Sequence, residues 1–377
     1  MIKQFVAFAQ KQKPFDRYFF WIVLLITGLG LLSFVSASLG ILAKSDTKFY
    51  SVLFNQVVLG LVGGFIALWI CTYIPYTFWR QYSFYFFIAA VALTLAVFIP
   101  GLGFEHGGAR RWISIGQLQF QPAEILKIAF VIYFSAWLAW TRKKENDFLF
   151  KVLPLVILLG IVAAALLRQP DTKSLVLSAA AACGILFVSG VSWKKVAAVV
   201  IGGIAIIAVL AYFRPYVMDR IKTFIDPSQD PRGASYQLQQ SLIAIGSGGL
   251  FGRGLGQSVQ KFSYLPEPQG DSIFAVIGEE FGFLGTTILM VLYVFFAIRG
   301  FKIALRAPDT FSRYLVVGLV TLLTAQSFLN ILSLVGLFPL TGVPLVFISH
   351  GGTSLMIALA AVGIILNISR YQKKPVV

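Results

Sequence analysis

Ten apolar stretches, each close to the roughly 20 residues that carry a helix across a hydrocarbon core, divide this sequence. They cover about 18–41, 50–73, 81–100, 122–140, 149–167, 173–190, 195–213, 273–298, 312–335 and 345–367. The sixth and seventh are short, so nine and eleven are the neighbouring counts. The expected fold is an all-α polytopic membrane protein in one domain over 1–377, with about ten transmembrane helices and one long extracytoplasmic loop, 214–272, between helices 7 and 8. Composition agrees. The chain is 58% hydrophobic and 12% charged, with mean hydropathy +0.83, whereas soluble domains are about 45–50% apolar and about 25% charged. Its 31 basic and 15 acidic residues are too few to coat a globule of 377 residues. A soluble enzyme, a disordered chain and a disulfide-stapled chain are therefore excluded.

The net charge of +16 comes from basic residues scattered between apolar runs rather than gathered on one face, which points to loops at a lipid surface and not to nucleic acid. Cys71 and Cys183 lie inside apolar runs and read as small packing residues. With only His106 and His350 beside them, no zinc-type cluster is available. The first apolar run begins late, is long and lacks a small-residue cleavage site, so it reads as a retained span.

Charge asymmetry sets the orientation. With the N-terminus inside, the inner segments hold Lys3, Lys11, Lys13, Arg17, Arg80, Arg142, Lys143, Lys144, Lys151, Lys194, Lys195, Arg299, Lys302, Arg306, Arg313, Arg370, Lys373 and Lys374. The short outer loops hold Lys44, Lys48, Arg110, Arg111, Arg168 and Lys173. Both termini are therefore expected in the cytoplasm. Acids show the opposite bias: only Asp16, Glu145, Asp147 and Asp309 fall inside. No inner segment is long enough for a nucleotide-binding domain.

Loops as long as 214–272 are usually functional. Val217, Met218, Ile221, Phe224 and Ile225 share one helical face, opposite Asp219, Arg220, Lys222 and Thr223, the pattern of a helix lying in the interface plane. A second helix is expected over 235–245. A glycine run from Gly246 to Gly256 follows; without a preceding strand it is no dinucleotide fingerprint and reads as a close approach of backbone to a ligand or neighbouring helix.

Ionisable groups at membrane depth usually face a cavity or a partner. Glu124 and Lys127, spaced i, i+3 after Pro122, share one face and read either as a buried ion pair or as a headgroup-binding cavity. Asp171 opens the sixth span, as a cap or as a cavity acid. Arg110 and Arg111 precede Trp112 in an outer loop and suit either lipid anchoring or bidentate phosphate recognition. The densest cluster is Lys261, Glu267, Asp271, Glu279 and Glu280, with Pro266 and Pro268 stiffening the approach to Asp271. His106 and His350 read as hydrogen-bonded loop histidines. Together these describe an outward-facing cavity lined by acids and arginines, and leave open a transporter or a transferase acting on a lipid-linked substrate.

The sequence resembles the SEDS family (shape, elongation, division and sporulation). The blocks are Gly108-Ala109-Arg110-Arg111-Trp112-Ile113; Gln121-Pro122-Ala123-Glu124-Ile125-Leu126-Lys127; Gln169-Pro170-Asp171; Tyr236-Gln237 with Gln240-Ser241-Leu242; Gln260-Lys261; Leu265-Pro266-Glu267; Asp271; Gly278-Glu279-Glu280; and Pro344 with Ser349-His350-Gly351-Gly352 and Ser354. The Tyr236–Leu242 and Gly254–Lys261 runs are closer to the division pattern than to the elongation pattern. Departures from the family are Gln269-Gly270-Asp271-Ser272 where His-Thr-Asp-Phe is usual, Thr172-Lys173-Ser174 where Leu-Gly-Thr is usual, and His350 where Tyr is usual.

The resemblance implies a peptidoglycan glycosyltransferase. It would polymerise lipid II into glycan strands at the outer face of the bacterial cytoplasmic membrane, at the division septum, by inverting transfer with release of undecaprenyl pyrophosphate. An elongation-type polymerase, a lipid II flippase and a non-catalytic division scaffold are the alternatives. The resemblance gives Asp271 as catalytic base. It gives Arg110, Arg111, Lys127 and Lys261 as pyrophosphate or site-shaping cations, Glu124 and Asp171 as cavity acids, and Glu267, Ser349 and Gly351 as substrate-side residues. It implies as partners lipid II, the nascent glycan strand, a class B penicillin-binding protein (the transpeptidase) and other division proteins. A divalent cation, Mg or Mn, would accompany the pyrophosphate; no other cofactor is implied.

With Cys71 and Cys183 replaced, a single cysteine at Ser228 is expected to react with a membrane-impermeant maleimide on intact cells. Labelling only after lysis would invert the orientation.

Overall fold

The structure, a computed structural model, describes residues 13–43, 45–106, 109–115, 118–141, 148–213, 215–226 and 234–372. The expected inner charges Lys3, Lys11, Arg142, Lys143, Lys144, Glu145, Asp147, Lys373 and Lys374 lie outside them, as do Lys44, Gly108, Arg214 and Ser228.

Helix α1 (Arg17–Leu42) starts on an Asp16 cap whose side chain accepts from the Phe19 amide. The second span begins with α2 (Asp46–Phe54), passes through a π-helical stretch, Asn55–Val62, and ends in α3 (Gly63–Tyr73). After the short α4 (Tyr76–Gln81) and α5 (Ser83–Leu95) comes a small antiparallel sheet of β1 (Gly103–His106), β2 (Ala109–Ile115) and β3 (Leu118–Phe120), in the order β1-β2-β3. This sheet occupies the loop of Arg110 and Arg111 that the charge bias places outside. Then follow α6 (Pro122–Trp140), α7 (Phe148–Arg168), α8 (Thr172–Val188) and α9 (Trp193–Phe213). The long loop contains α10 (Pro215–Ile225), α11 (Ala234–Ser247) and α12 (Gln260–Ser263). The last helices are α13 (Ile273–Leu305), α14 (Thr310–Leu334) and α15 (Gly352–Ser369).

Six of these spans, Arg17–Leu42, Phe49–Tyr73, Pro122–Trp140, Ile273–Leu305, Thr310–Leu334 and Gly352–Ser369, are long and apolar enough to cross a membrane, and three shorter apolar helices accompany them among the described residues. With α9 they fill all ten expected stretches. Both helices foreseen in the long loop are present. Large apolar side chains such as Trp21, Leu32, Ile66, Tyr85 and Phe283 are exposed around the periphery, as lipid-facing surfaces require. The core runs through α14 and α15, most of whose residues are buried.

Two places depart from simple spans. The tenth span begins at Gly352 rather than 345: residues 345–351 are non-helical although buried or half-buried. Phe347 (φ 68) and Gly351 (φ 158) leave the helical region there. The second departure is in α13, which breaks at Gly282 (φ 66, ψ −163). The glycine run fits against that break. The Arg253 and Gly254 amides donate to the Glu279 and Glu280 carbonyls at 3.0 and 2.9 Å, while the Phe283 and Leu284 amides donate to the Gly249 and Leu250 carbonyls at 2.8 and 3.1 Å. These contacts lie roughly 9–17 Å along α13 from its start, so part of the expected outer loop returns to membrane depth. Non-helical backbone survives there only when other protein groups satisfy it, and here each segment satisfies the other.

The fit leaves no room for side chains. A Cβ on Gly282 would stand 2.4 Å from the Gly252 nitrogen and 2.7 Å from the Leu250 carbonyl carbon. Gly282→Ala is expected to cost at least the ~1–3 kcal/mol of a glycine-only conformation, read as a lowered thermal midpoint of the detergent-purified protein. Gly246→Ala, whose Cβ meets nothing within 4 Å, should leave the midpoint unchanged.

Candidate active site

Asp271 ends the long loop one residue before the Ser272 cap of α13. Its main chain is fastened on both sides. The Gly270 and Ser272 amides bend back onto the Glu267 carbonyl at 2.9 and 3.4 Å, which puts exposed Glu267 at the tip of the turn. The Ser349 hydroxyl donates to the Gly270 carbonyl at 2.8 Å, and the His350 amide to the Gln269 carbonyl at 2.7 Å. The Asn330 amide group donates to the Asp271 carbonyl at 2.8 Å, and Gln237 Nε2 to the Ser272 hydroxyl at 3.0 Å. The half-buried carboxylate itself abuts Gly342: a Cβ there would lie 3.0 Å from Asp271 Oδ2.

The non-helical stretch that carries Gly342 and Ser349 is held carbonyl by carbonyl from the surrounding helices. Arg220 Nη1 donates to Leu340 at 2.9 Å, Lys173 Nζ to Gly342, Asn330 Nδ2 to Val343 at 2.7 Å, Gln326 Nε2 to Pro344 at 3.3 Å, and the Tyr293 hydroxyl to Val346. Gln56, in the π-helical stretch, donates to the Ser349 carbonyl at 3.3 Å and accepts from the Gly351 amide at 3.0 Å. Ser349 and Gly351 thus act here through the backbone. Asp271 sits on a seat built from six other elements.

The remaining expected residues fall into separate groups. Glu124 and Lys127 form a buried ion pair of 2.9 Å. Lys127 also donates to Gln326 at 2.9 Å, and Glu124 accepts from Ser354 at 3.3 Å. Through Gln326 this network touches the Pro344 carbonyl and so the seat of Asp271. Asp171 caps α8, accepting from the Ser174 amide at 3.3 Å, the Ser174 hydroxyl at 2.8 Å and Gln121 Nε2 at 3.2 Å. Arg111 reaches across from β2 to the turn before that cap, donating to the Gln169 and Pro170 carbonyls at 2.8 and 2.7 Å. Arg110 pairs with Glu105 at 3.2 Å on the exposed face of the sheet, an arrangement worth little by itself.

The cluster of five charges expected around Asp271 divides in two. Lys261 is buried and gives its ammonium protons to Glu280 at 2.7 Å, the Gly256 carbonyl at 2.8 Å and Ser36 at 2.9 Å. An ammonium has three donors, so Lys261 braces the glycine run against α1 and α13 rather than standing beside Asp271. Glu279 accepts from the Ser258 hydroxyl at 2.6 Å and the Val259 and Gln260 amides at 3.0 and 3.3 Å, and pairs with Arg253 at 3.2 Å. Glu267 and Asp271 remain together at the other end.

The side chains that hold the seat, Asn330, Gln326, Lys173 and Arg220, were not among the expected site residues. Asn330 and Gln326 carried a signal, being amides four residues apart inside an apolar span. Lys173 and Arg220 had none: their partner is a turn more than a hundred residues away. Among the described residues no three His, Cys, Asp or Glu side chains gather as a metal cluster.

Comparison with known proteins accounts for this architecture. A sequence model of the cell cycle protein family FTSW_RODA_SPOVE matches residues 16–374. A probable peptidoglycan glycosyltransferase FtsW of Geobacter sp. (strain M18) is 34% identical over 96% of this chain and 98% of its own. Stage V sporulation protein E of Bacillus subtilis (strain 168) is 37% identical over 93% of this chain and 96% of its own. Among solved structures, a chain described under structural coordination of polymerization and crosslinking by a peptidoglycan synthase complex superposes with a TM-score of 0.76, at 26% identity over 95% of this chain and 99% of that one. The Thermus thermophilus rod shape determining protein RodA gives 0.68, at 26% identity over 95% and 98%. This multi-pass membrane chain therefore belongs to the FtsW/RodA/SpoVE family.

Proposed function

We propose that this protein is a peptidoglycan glycosyltransferase of the division type, polymerising lipid II at the outer face of the cytoplasmic membrane at the septum. The observation that carries the reading is the fixed seat of Asp271, which holds one carboxylate at the start of α13 in a chain related over 96% of its length to a protein named as such an enzyme. In the proposed reaction the 4-hydroxyl of the acceptor GlcNAc attacks C1 of the donor MurNAc. Asp271 takes the hydroxyl proton, the C1–oxygen bond to the pyrophosphate breaks, and undecaprenyl pyrophosphate leaves with inversion at C1. A positioned base needs fixed geometry first, and the bonds on either side of Asp271 supply it. The energy of transfer resides in the pyrophosphate, which suits a chain with no inner segment long enough for a nucleotide-binding domain.

Glu124–Lys127 and Asp171 act in this reading as frame: the pair supports the segment that seats Asp271, and Asp171 with Arg111 fixes the start of α8. A Mg or Mn ion accompanying the pyrophosphate would be held mainly through the phosphate oxygens, as is usual for Mg at phosphate groups. The class B penicillin-binding protein is the proposed partner, in keeping with the synthase complex among the structural relatives. Both termini are placed in the cytoplasm on the charge bias of the inner segments.

Asp271→Asn keeps the shape and removes the proton acceptor. Lipid II polymerisation by the purified protein with its transpeptidase is expected to fall at least the ~10²–10⁴-fold typical of a lost general base, with thermal midpoint and partner binding retained. Glu267→Gln, at the exposed tip of the turn, should keep most of the activity. Near wild-type glycan synthesis by the Asn variant would reduce Asp271 to a loop acid and favour the flippase and scaffold alternatives.

A further inference from the structure

A pyrophosphate leaving beside Asp271 needs cations, and those expected from the sequence are engaged elsewhere: Lys127 with Glu124 and Gln326, Lys261 with Glu280, Arg111 with two carbonyls, Arg110 with Glu105. Two other cations stand at the carboxylate. Half-buried Lys173, in the first turn of α8, donates to the Gly342 carbonyl, and Arg220 on α10 donates to the Leu340 carbonyl at 2.9 Å. The same Cβ position on Gly342 that lies 3.0 Å from Asp271 Oδ2 lies 3.9 Å from Arg220 Nη2. Both cations therefore grip the one turn against which the carboxylate rests.

That turn also holds an unpaired polar group. The Thr341 hydroxyl is buried and makes no hydrogen bond, although buried hydroxyls ordinarily have a partner. Gly342 adopts φ +63, so the backbone bends sharply between the two cations. An ammonium with three donors, one of them given to Gly342, a guanidinium, and a hydroxyl without a partner make a setting suited to phosphate oxygens. Lys173 stands where the resembled pattern usually carries glycine.

We propose that Lys173 and Arg220, with the Thr341 hydroxyl between them, form a phosphate site that seats the pyrophosphate of the lipid-linked substrate beside Asp271. The proposal rests on the glycosyltransferase reading and deepens it by naming where the leaving group's charge is met. The site makes and breaks no covalent bond; it balances the negative charge that grows on the pyrophosphate as the C1–oxygen bond opens.

The test measures binding of undecaprenyl pyrophosphate, with undecaprenol as uncharged reference, to the full chain in phosphatidylcholine nanodiscs, alongside lipid II polymerisation. Lys173→Met should weaken pyrophosphate binding about tenfold and raise KM for lipid II by a similar factor, leaving undecaprenol binding unchanged. Lys173→Arg should restore most of both. Thr341→Val, which alters no charge, should weaken binding several-fold and keeps the test decisive if Lys173→Met does not fold. Unchanged affinity and KM in these variants would overturn the site. So would a fall in kcat at unchanged KM and affinity, which would make Lys173 only a strut for the turn. Phosphatidylglycerol competing as well as undecaprenyl pyrophosphate at equal mole fraction would make it a lipid-headgroup anchor instead. Asp271→Asn should bind undecaprenyl pyrophosphate at least as tightly as wild type while inactive, since a like charge is removed. Absence of polymerisation by the wild-type protein with its transpeptidase would sink the enzyme reading itself, separately from the phosphate site.

Discussion

The structure depends on one requirement: every backbone N–H and C=O at membrane depth must find a partner inside the protein, because lipid offers none. Continuous helices meet it automatically. Among the described residues the helical pattern breaks at Gly282 in α13 and across the segment 340–351, and each break is met by a dedicated set of partners. At Gly282 the partner is another piece of broken backbone, the Gly249–Gly254 stretch, and the exchange runs in both directions. Before α15 the partners are side chains, reaching in from α8, α10, α13, α14 and the π-helical stretch of the second span.

The two solutions differ in what they permit. Backbone pairing across the Gly282 break needs close approach, hence glycine on both sides, and is backed by the Lys261–Glu280 pair. Burying such a pair costs several kcal/mol per ion before the attraction is counted, and the further hydrogen bonds that Lys261 donates to the Ser36 hydroxyl and the Gly256 carbonyl offset that cost. The side-chain solution before α15 leaves the backbone non-helical and its carbonyls reachable, so polar residues from many helices converge on one place. Asn330 shows the consequence. Its amide group serves both the Asp271 carbonyl and the Val343 carbonyl, so one side chain ties the Asp271 loop to the broken segment. Losing it would leave two carbonyls unpaired, at about 1–3 kcal/mol each when buried.

Features governed by length and local spacing were legible in the sequence. The apolar runs place all ten helical stretches, the i, i+3 spacing of Glu124 and Lys127 gives their pair, Asp171 caps its helix, and the amphipathic pattern of 217–225 becomes α10. Features governed by long-range partner choice were not legible. Nothing local to Lys261 distinguishes a phosphate ligand from a brace to Glu280, and nothing local to Arg111 tells that its guanidinium meets the Gln169 and Pro170 carbonyls. The start of the tenth helix was missed because Leu345, Val346, Phe347 and Ile348 are as apolar as any helical residues. Apolarity reports depth and says little about backbone conformation.

Charge in this protein therefore sorts by how many donors are already committed. Lys261 has given all three ammonium protons to the frame, and Lys127 has turned to two buried acceptors. Arg111 has become a backbone clamp. Those side chains fix geometry, and because Lys261 and Lys127 are buried their loss is felt first as loss of fold. Lys173 and Arg220 donate to carbonyls of a single turn, where α8 and α10 bring them within reach of the same glycine as Asp271. A carbonyl is a weaker hold on a cation than a carboxylate, so Lys173 can exchange part of its bonding for a phosphate oxygen without breaking an ion pair. The same bundle thus divides its cations between those that brace buried helices and those that hold the turn beside Asp271.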